Sequence, residues 1–148
     1  MSIFSSFNIN ASGMTAQRYR MDIISENVAN ADTTRTADGT PYRRKVVTFE
    51  QRGAQVGTFS NVFKSASETY QGNGVRVRKV SEDTWNDMIM AYDPSHPDAD
   101  ENGYVTYPNV NIVTEMTNLI DASRSYEANA TAFNASKTIA MKGLEMSQ

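Results

Sequence analysis

The sequence predicts an α+β chain, mainly α. Long N- and C-terminal helices are expected to pack as a coiled-coil-like pair around a small β-rich central insertion. Three observations predict this. Apolar residues recur in sevens near the N-terminus at Phe7, Met14, Met21 and Val28. They recur in sevens again at Ile112, Leu119, Tyr126, Phe133 and Ala140. Between these ends, short stretches alternate apolar and polar residues instead. A sevenfold repeat keeps one narrow apolar seam along a helix, whereas alternation marks a strand. The expected organisation is therefore an N-terminal helical segment at 1–34, a β-rich or extended insertion at 35–108, and a C-terminal helical segment at 109–148.

The first helix is expected from about Phe7 to Ala31, with Ala11 and Ile24 widening its stripe. Asn10 or Ser12 is the expected N-cap, and Gly13 weakens the first turn by roughly 1 kcal/mol. The run Asn27-Val28-Ala29-Asn30-Ala31-Asp32-Thr33 ends it with residues that prefer caps and turns. Asp38-Gly39 is a tight-turn signal. Strands are expected at Tyr42–Phe49, Val75–Val80, Met88–Tyr92 and Tyr104–Tyr107. Gly53 to Gln71 is rich in small and polar residues and reads as mobile. Gly72-Asn73-Gly74 reads as a hairpin turn, because no strand-to-helix context makes it a phosphate loop. Pro108 closes the middle. Asn109 or Asn111 then caps a second helix running to about Leu144, where Gly143 frays or ends it. Met116, Ser123, Ala130, Lys137 and Leu144 accompany the Ile112 series, and the small Ser123 and Ala130 admit a partner helix closely.

Composition narrows the function. The chain has 148 residues, one domain's worth, with 39% apolar residues and no cysteine. The mean hydropathy is negative, and no apolar run is long enough to span a bilayer. No cleavable secretory signal is expected from Met1-Ser2-Ile3-Phe4-Ser5-Ser6-Phe7, which lacks a basic start and a long apolar run. The net charge is only −3, yet it is unevenly spread. Arg35 to Lys79 carries nine basic and three acidic residues, whereas Val80 to Asp121 carries nine acidic residues and no Lys or Arg. Such a chain either attracts its own kind head to tail or neutralises itself internally.

Catalytic chemistry finds little support. His96 is the single histidine, so triads and most zinc sites lack their parts. Asp98-Ala99-Asp100-Glu101-Asn102-Gly103 opens like a calcium loop, with candidate ligands Asp98, Asp100 and Asn102. The twelfth position, which needs a bidentate carboxylate, is Asn109, and Pro94 and Pro97 interrupt the helix that should lead in. A basic stretch of Arg43, Arg44, Lys45, Arg76, Arg78 and Lys79, with Tyr42 and Phe49 nearby, has the charge for phosphate but no nucleic-acid motif. A secreted calcium module and a nucleic-acid binder are thus the competing readings. The methionines Met14, Met21 and Met116 read as packing residues at helix interfaces.

Several segments resemble one family. Ser25-Glu26-Asn27-Val28-Ala29-Asn30-Ala31 is similar to the N-terminal Ala-Asn-Asn-Leu-Ala-Asn signature of flagellar rod and hook proteins, with Ser25-Glu26 in place of its first Ala-Asn. Arg124-Ser125-Tyr126-Glu127-Ala128-Asn129 is similar to the C-terminal helix signature of the same proteins. Asp38-Gly39-Thr40-Pro41-Tyr42-Arg43-Arg44, followed by Val46, Val47 and Phe49, resembles the FlgC family of proximal rod proteins. So does Tyr92-Asp93-Pro94-Ser95-His96-Pro97-Asp98-Ala99, followed by Gly103-Tyr104-Val105 and Pro108-Asn109-Val110. The Gly-x-Gly-Phe-Phe element of distal rod and hook proteins is absent.

The resemblance implies a structural subunit of the periplasmic rod. It implies export by the flagellar type III apparatus without signal cleavage. It also implies packing with copies of itself, other rod proteins, and adaptor or export-gate proteins at the rod base. It implies no cofactor, no catalytic or metal site, no nucleic acid and no membrane insertion. The residues implied to carry assembly are the seam Phe7, Met14, Met21, Val28, Ile112, Met116, Leu119, Tyr126 and Phe133. The motif residues Asn27, Ala29, Asn30, Tyr126, Glu127, Ala128 and Asn129 accompany them.

Overall fold

The computed structural model describes residues 3–52 and 73–146. Its elements in order are α1 (Ile3–Ala29), β1 (Lys45–Gln51), β2 (Val75–Glu82), β3 (Ile89–Tyr92), β4 (Tyr104–Tyr107) and α2 (Ile112–Glu145). Two long helices flank a small β-sheet insertion, the α+β architecture that the two seven-residue repeats imply. The expected mobile stretch Gly53 to Gln71 lies outside the described residues.

Helix α1 starts upstream of the expected cap. Asn10 and Ser12 lie inside it, and the Ser12 hydroxyl donates to the carbonyl of Ile9 at 2.7 Å. Gly13 therefore sits mid-helix rather than in a first turn. At the other end the chain stops as its residues suggest. Asn30 Nδ2 donates to the Glu26 carbonyl at 2.9 Å, which also accepts the Asn30 backbone N–H at 3.1 Å. The Thr33 hydroxyl in turn donates to Asn30 Oδ1 at 3.2 Å.

Helix α2 is capped by Asn111, whose Oδ1 accepts the Thr114 N–H at 3.1 Å. Glu115 in its first turn and Lys142 in its last suit the helix dipole. Gly143 does not end the helix, which continues to Glu145.

The strands form two two-stranded sheets, β1 with β2 and β3 with β4. Strands β3 and β4 are antiparallel, pairing Ile89 with Tyr107, Met90 with Thr106, Ala91 with Val105, and Tyr92 with Tyr104. Alternation sends Val105 inward to full burial and leaves Met90, Tyr92 and Tyr104 on the opposite face. Gly103 turns the chain into β4 at φ +81°, and Gly39 makes the expected Asp38-Gly39 turn at φ +76°.

The chain divides into two compact units, each with residues from both helices. One comprises Tyr19–Thr48 and Lys79–Ala122. Its apolar core includes Ala31, Tyr42 and Val110. The other comprises Met1–Arg18, Phe49–Arg78 and Ser123–Gln148. There the Phe7 and Phe133 rings meet edge to face at 5.0 Å. A side chain at Gly13 would collide with Asn129, whose Oδ1 lies 2.6 Å from where a Cβ would stand. Higher numbers on α1 thus face lower numbers on α2, an antiparallel pair.

Candidate functional site

The most heavily bonded place in the described residues is a polar node in the Tyr19–Thr48 and Lys79–Ala122 unit. Asn27, in the last turns of α1, is 1% exposed. Its Nδ2 donates to the Lys45 carbonyl at 2.9 Å and to Glu115 Oε2 at 3.0 Å. Its Oδ1 accepts the Lys45 N–H and the Tyr42 hydroxyl, each at 2.9 Å. Two donors and two acceptor positions are the whole capacity of a side-chain amide. One side chain therefore ties α1 to the first residue of β1 and to the first turns of α2. A smaller or apolar residue at 27 removes bonds to β1, to α2 and to Tyr42 in the loop before β1.

Glu115 is also 1% exposed and carries a carboxylate into this interior. Arg44 Nε and Nη2 reach its Oε1 at 2.9 and 2.7 Å. The Arg44 Nη1 lies 3.3 Å from Asp83 Oδ2. Charge-assisted bonds of this kind offset the large desolvation penalty of a buried carboxylate. Asn109 completes the frame. Its Oδ1 accepts the Arg44 N–H at 2.9 Å, and its Nδ2 donates to the carbonyls of Asp83 and Asn86 at 2.9 and 3.1 Å. Lys45 pairs with Glu26 at the rim.

Electrostatics follow the geometry. Burial, then the negative charges of Glu26, Glu115 and Glu82, push the Tyr42 hydroxyl up to about 12. The Asp83 carboxyl lies below its ordinary value, chiefly because the Asn86 side chain donates to it. Burial opposes that shift, while the backbone N–H groups of Asn86 and Trp85 and the Arg44 side chain add to it.

The predicted seam residues fall in two classes. Phe7, Met14, Met21, Val28, Leu119 and Phe133 are half-buried. Ile112, Met116 and Tyr126 are exposed, Met116 at 55%. The residues packed most deeply on the helices are instead Ser12, Ala16, Ile24 and Asn27 on α1, and Glu115 and Ala122 on α2. On α2 the line Glu115, Ala122, Asn129, Ser136 also runs in sevens, one residue behind the Met116 companion series. It is small or polar, so a search for apolar sevens passes over it. Of the motif residues, Asn27, Asn30 and Asn129 have bonding or packing roles, with Asn129 Nδ2 donating to the Ser125 carbonyl at 2.8 Å. Ala29, Tyr126, Glu127 and Ala128 face outward.

Arg44, Asp83, Asn109 and Glu115 were not among the predicted assembly residues. One signal was available. A glutamate in phase with Ala122 and Asn129 on an otherwise packed line must be buried, and a buried carboxylate requires a cation.

The alternative sites are engaged elsewhere. Asp98 accepts the Thr34 hydroxyl at 2.8 Å and lies 3.8 Å from Arg35. Asp100 Oδ1 accepts the N–H groups of Asn102 and Tyr104 at 2.9 and 2.8 Å, so the calcium-like motif is a turn closing onto its own backbone. No group of three or more metal-binding side chains occurs among the described residues. The basic stretch faces carboxylates of its own chain: Arg44 at Glu115 and Asp83, Lys45 at Glu26, and Arg76 and Arg78 at Glu50. Among the described residues, no helix is long and apolar enough to cross a membrane.

Comparison with known proteins places this arrangement. Residues 7–35, which are α1 from Phe7 onward and the chain that follows it, match the family described as flagella basal body rod protein. Residues 101–146, which are β4 and α2, match the C-terminal family of the flagellar basal body rod FlgEFG proteins. Over 150 aligned residues the chain is 47% identical to the flagellar basal-body rod protein FlgC of Bacillus subtilis, covering 99% of each. It is 43% identical to that of Borreliella burgdorferi, covering 100% of this chain and 99% of the relative. It is 36% identical to that of Salmonella typhimurium over the full length of both.

The chain belongs to the FlgC family of flagellar basal-body rod proteins. The proteins it resembles are structural rod proteins. In this FlgC-family chain the node joins three parts of the sequence: Asn27 lies in the 7–35 match and Glu115 in the 101–146 match, with Arg44 between them.

Proposed function

We propose that the chain is a structural subunit of the proximal rod, polymerising with its own copies and with other rod proteins into the axial drive shaft around the export channel. The full-length identity to FlgC proteins carries this reading. The structure supplies the parts such a subunit needs. A buried node fixes the terminal helices to the insertion. Ile112, Val113, Met116 and Ile120 leave an exposed apolar stripe along the start of α2, a surface for a neighbouring subunit. A shaft that transmits torque works by holding shape, so every charged group described in the node has a structural task and none a catalytic one. We read the chain as a non-enzyme that needs no cofactor.

The same reading puts the subunit in the periplasm, delivered by the flagellar type III apparatus with its N-terminus intact. Support comes from Phe7, whose ring meets Phe133 edge to face, because removal of the first helical turns would strip that contact. The neighbours at its ends are other rod proteins and the adaptor or export-gate proteins of the rod base. The test is genetic. Deleting the gene should abolish swimming, and the parent chain in trans should restore it. Swimming by the deletion strain, or failure of the parent chain to complement, contradicts the proposal.

A further inference from the structure

The outer face of the β3–β4 hairpin presents exposed apolar and aromatic side chains. Met90 is 63% and Tyr92 67% exposed, and Tyr104 shares their face. The rings of Tyr92 and Tyr104 meet edge to face at 5.3 Å, with Gly103 beneath the Tyr92 ring. The connection from β3 to β4 carries Asp93, Asp100 and Glu101. No ion pair ties any of these three to a basic side chain among the described residues, whereas Asp98 in the same connection lies near Arg35. Asp93 and Asp100 each accept bonds from their own loop through Oδ1, yet they keep their negative charge. Aromatic rings beside such charge suit a guanidinium or ammonium group, through cation–π contact and charge together.

The chain carries the matching surface. Arg76 and Arg78 project from one side of β2, and Lys79 follows them, exposed. Both arginines lean on a single carboxylate, Glu50, at 2.5 and 3.8 Å. One carboxylate neutralises one guanidinium, so among the described residues positive charge is left over, and the Arg78 side chain remains 68% exposed. A heterologous contact between identical chains requires two different, complementary patches on each copy. This chain has both, with spare charge of opposite sign.

We propose that the hairpin face of one copy, Met90, Tyr92 and Tyr104 with Asp93, Asp100 and Glu101, receives Arg76 and Arg78 on β2 of a second copy. This docking rests on the rod-subunit reading and adds the surfaces by which copies meet. Part of the uneven charge of the middle region is neutralised within the chain, Arg44 by Glu115 and Asp83 and Arg35 by Asp98; the docking uses the exposed remainder. The patches differ, so the contact is head to tail and can repeat along an assembly.

Because the chain has no cysteine, an introduced pair reports this contact alone. In a deletion strain, one copy carries Asn102→Cys and a co-expressed copy carries Lys79→Cys. Neither substitution removes a residue of the proposed contact. A bis-maleimide cross-linker should give a dimer only when both copies are present. Met90→Cys with Lys79→Cys provides a second pair. Adding Arg76→Glu and Arg78→Glu to the Lys79→Cys copy should reduce the dimer by about tenfold or more, since like charges then face each other.

Three results overturn the docking: no dimer from either pair, dimers from single-cysteine strains, or a dimer indifferent to the charge reversal. Complementation by the parent chain is scored separately. Swimming cells without the cross-link leave the rod-subunit reading standing, and a parent chain that fails to complement removes that reading itself.

Discussion

At the scale of single residues, the fold depends on side chains whose bonding capacity is full. Asn27→Ala removes four hydrogen bonds and strands the Lys45 N–H and carbonyl, the Tyr42 hydroxyl and one Glu115 oxygen. Buried groups left without partners are costly, and urea denaturation of the variant should show a loss of about 3 kcal/mol. Arg44→Met leaves Glu115 buried without its cation and should cost about 3–5 kcal/mol. Combining it with Glu115→Leu should recover most of that loss, because the uncompensated charge is gone. A double variant as unstable as the sum of the two singles would show that the residues do not act as a pair. Tyr42 adds a pH signature. Its hydroxyl is held near 12 in the folded chain, against about 10 when unfolded. The folded state binds that proton more tightly, so the contribution is complete below about pH 10 and is lost as pH rises through 12. Measured denaturation free energies of parent and Tyr42→Phe should converge across that window. For Asp83 the sign is opposite: its depressed carboxyl contributes above the unfolded value near 4 and is lost in acid.

At the scale of elements, the terminal helices and four strands were legible because they rest on periodicity, which is local. The turn at Asp38-Gly39 and the cap at Asn111 were legible for the same reason. The start of α1 was not, since Asn10 and Ser12 are good caps that the helix runs through. Ser12 instead accepts the Val75 N–H at 3.1 Å, a contact 63 residues away in sequence. The node was hidden too, because pairing Arg44 with Glu115 depends on how the insertion folds back on the helices. The deepest line of α2 was missed because its residues are small or polar, which is what close packing on α1 demands. Gly13 shows that demand. Gly13→Ala should gain about 1 kcal/mol of helix propensity, opposed by its collision with Asn129. The gain should appear in thermal melts only when Asn129→Ala is also present. A larger gain in the parent background would show that Asn129 yields freely. Two aspartates on α2 separate folding from assembly. Ala122 is fully buried, so Ala122→Asp should unfold the chain by several kcal/mol. Met116 is mostly exposed, so Met116→Asp should stay within about 0.5 kcal/mol of the parent yet block swimming. Normal swimming with Met116→Asp would remove the exposed stripe from the assembly surface.

At the scale of the whole molecule, the account is of a subunit whose work is to hold and to be held. The node joins the end of α1 to the start of α2, and on the proposed reading the exposed apolar stripe of α2 receives a neighbouring subunit. Repeated heterologous contacts between such subunits build an open helical assembly, the form a hollow shaft requires. The most direct measurement is the location of the chain itself. Basal bodies purified in detergent from cells carrying an epitope-tagged parent chain should contain the tag in a fixed ratio to other rod proteins. The same preparation from cells carrying Met116→Asp should lack it while the variant persists, folded, in the cells. Swimming cells whose basal bodies contain no tagged chain would contradict the account at its centre.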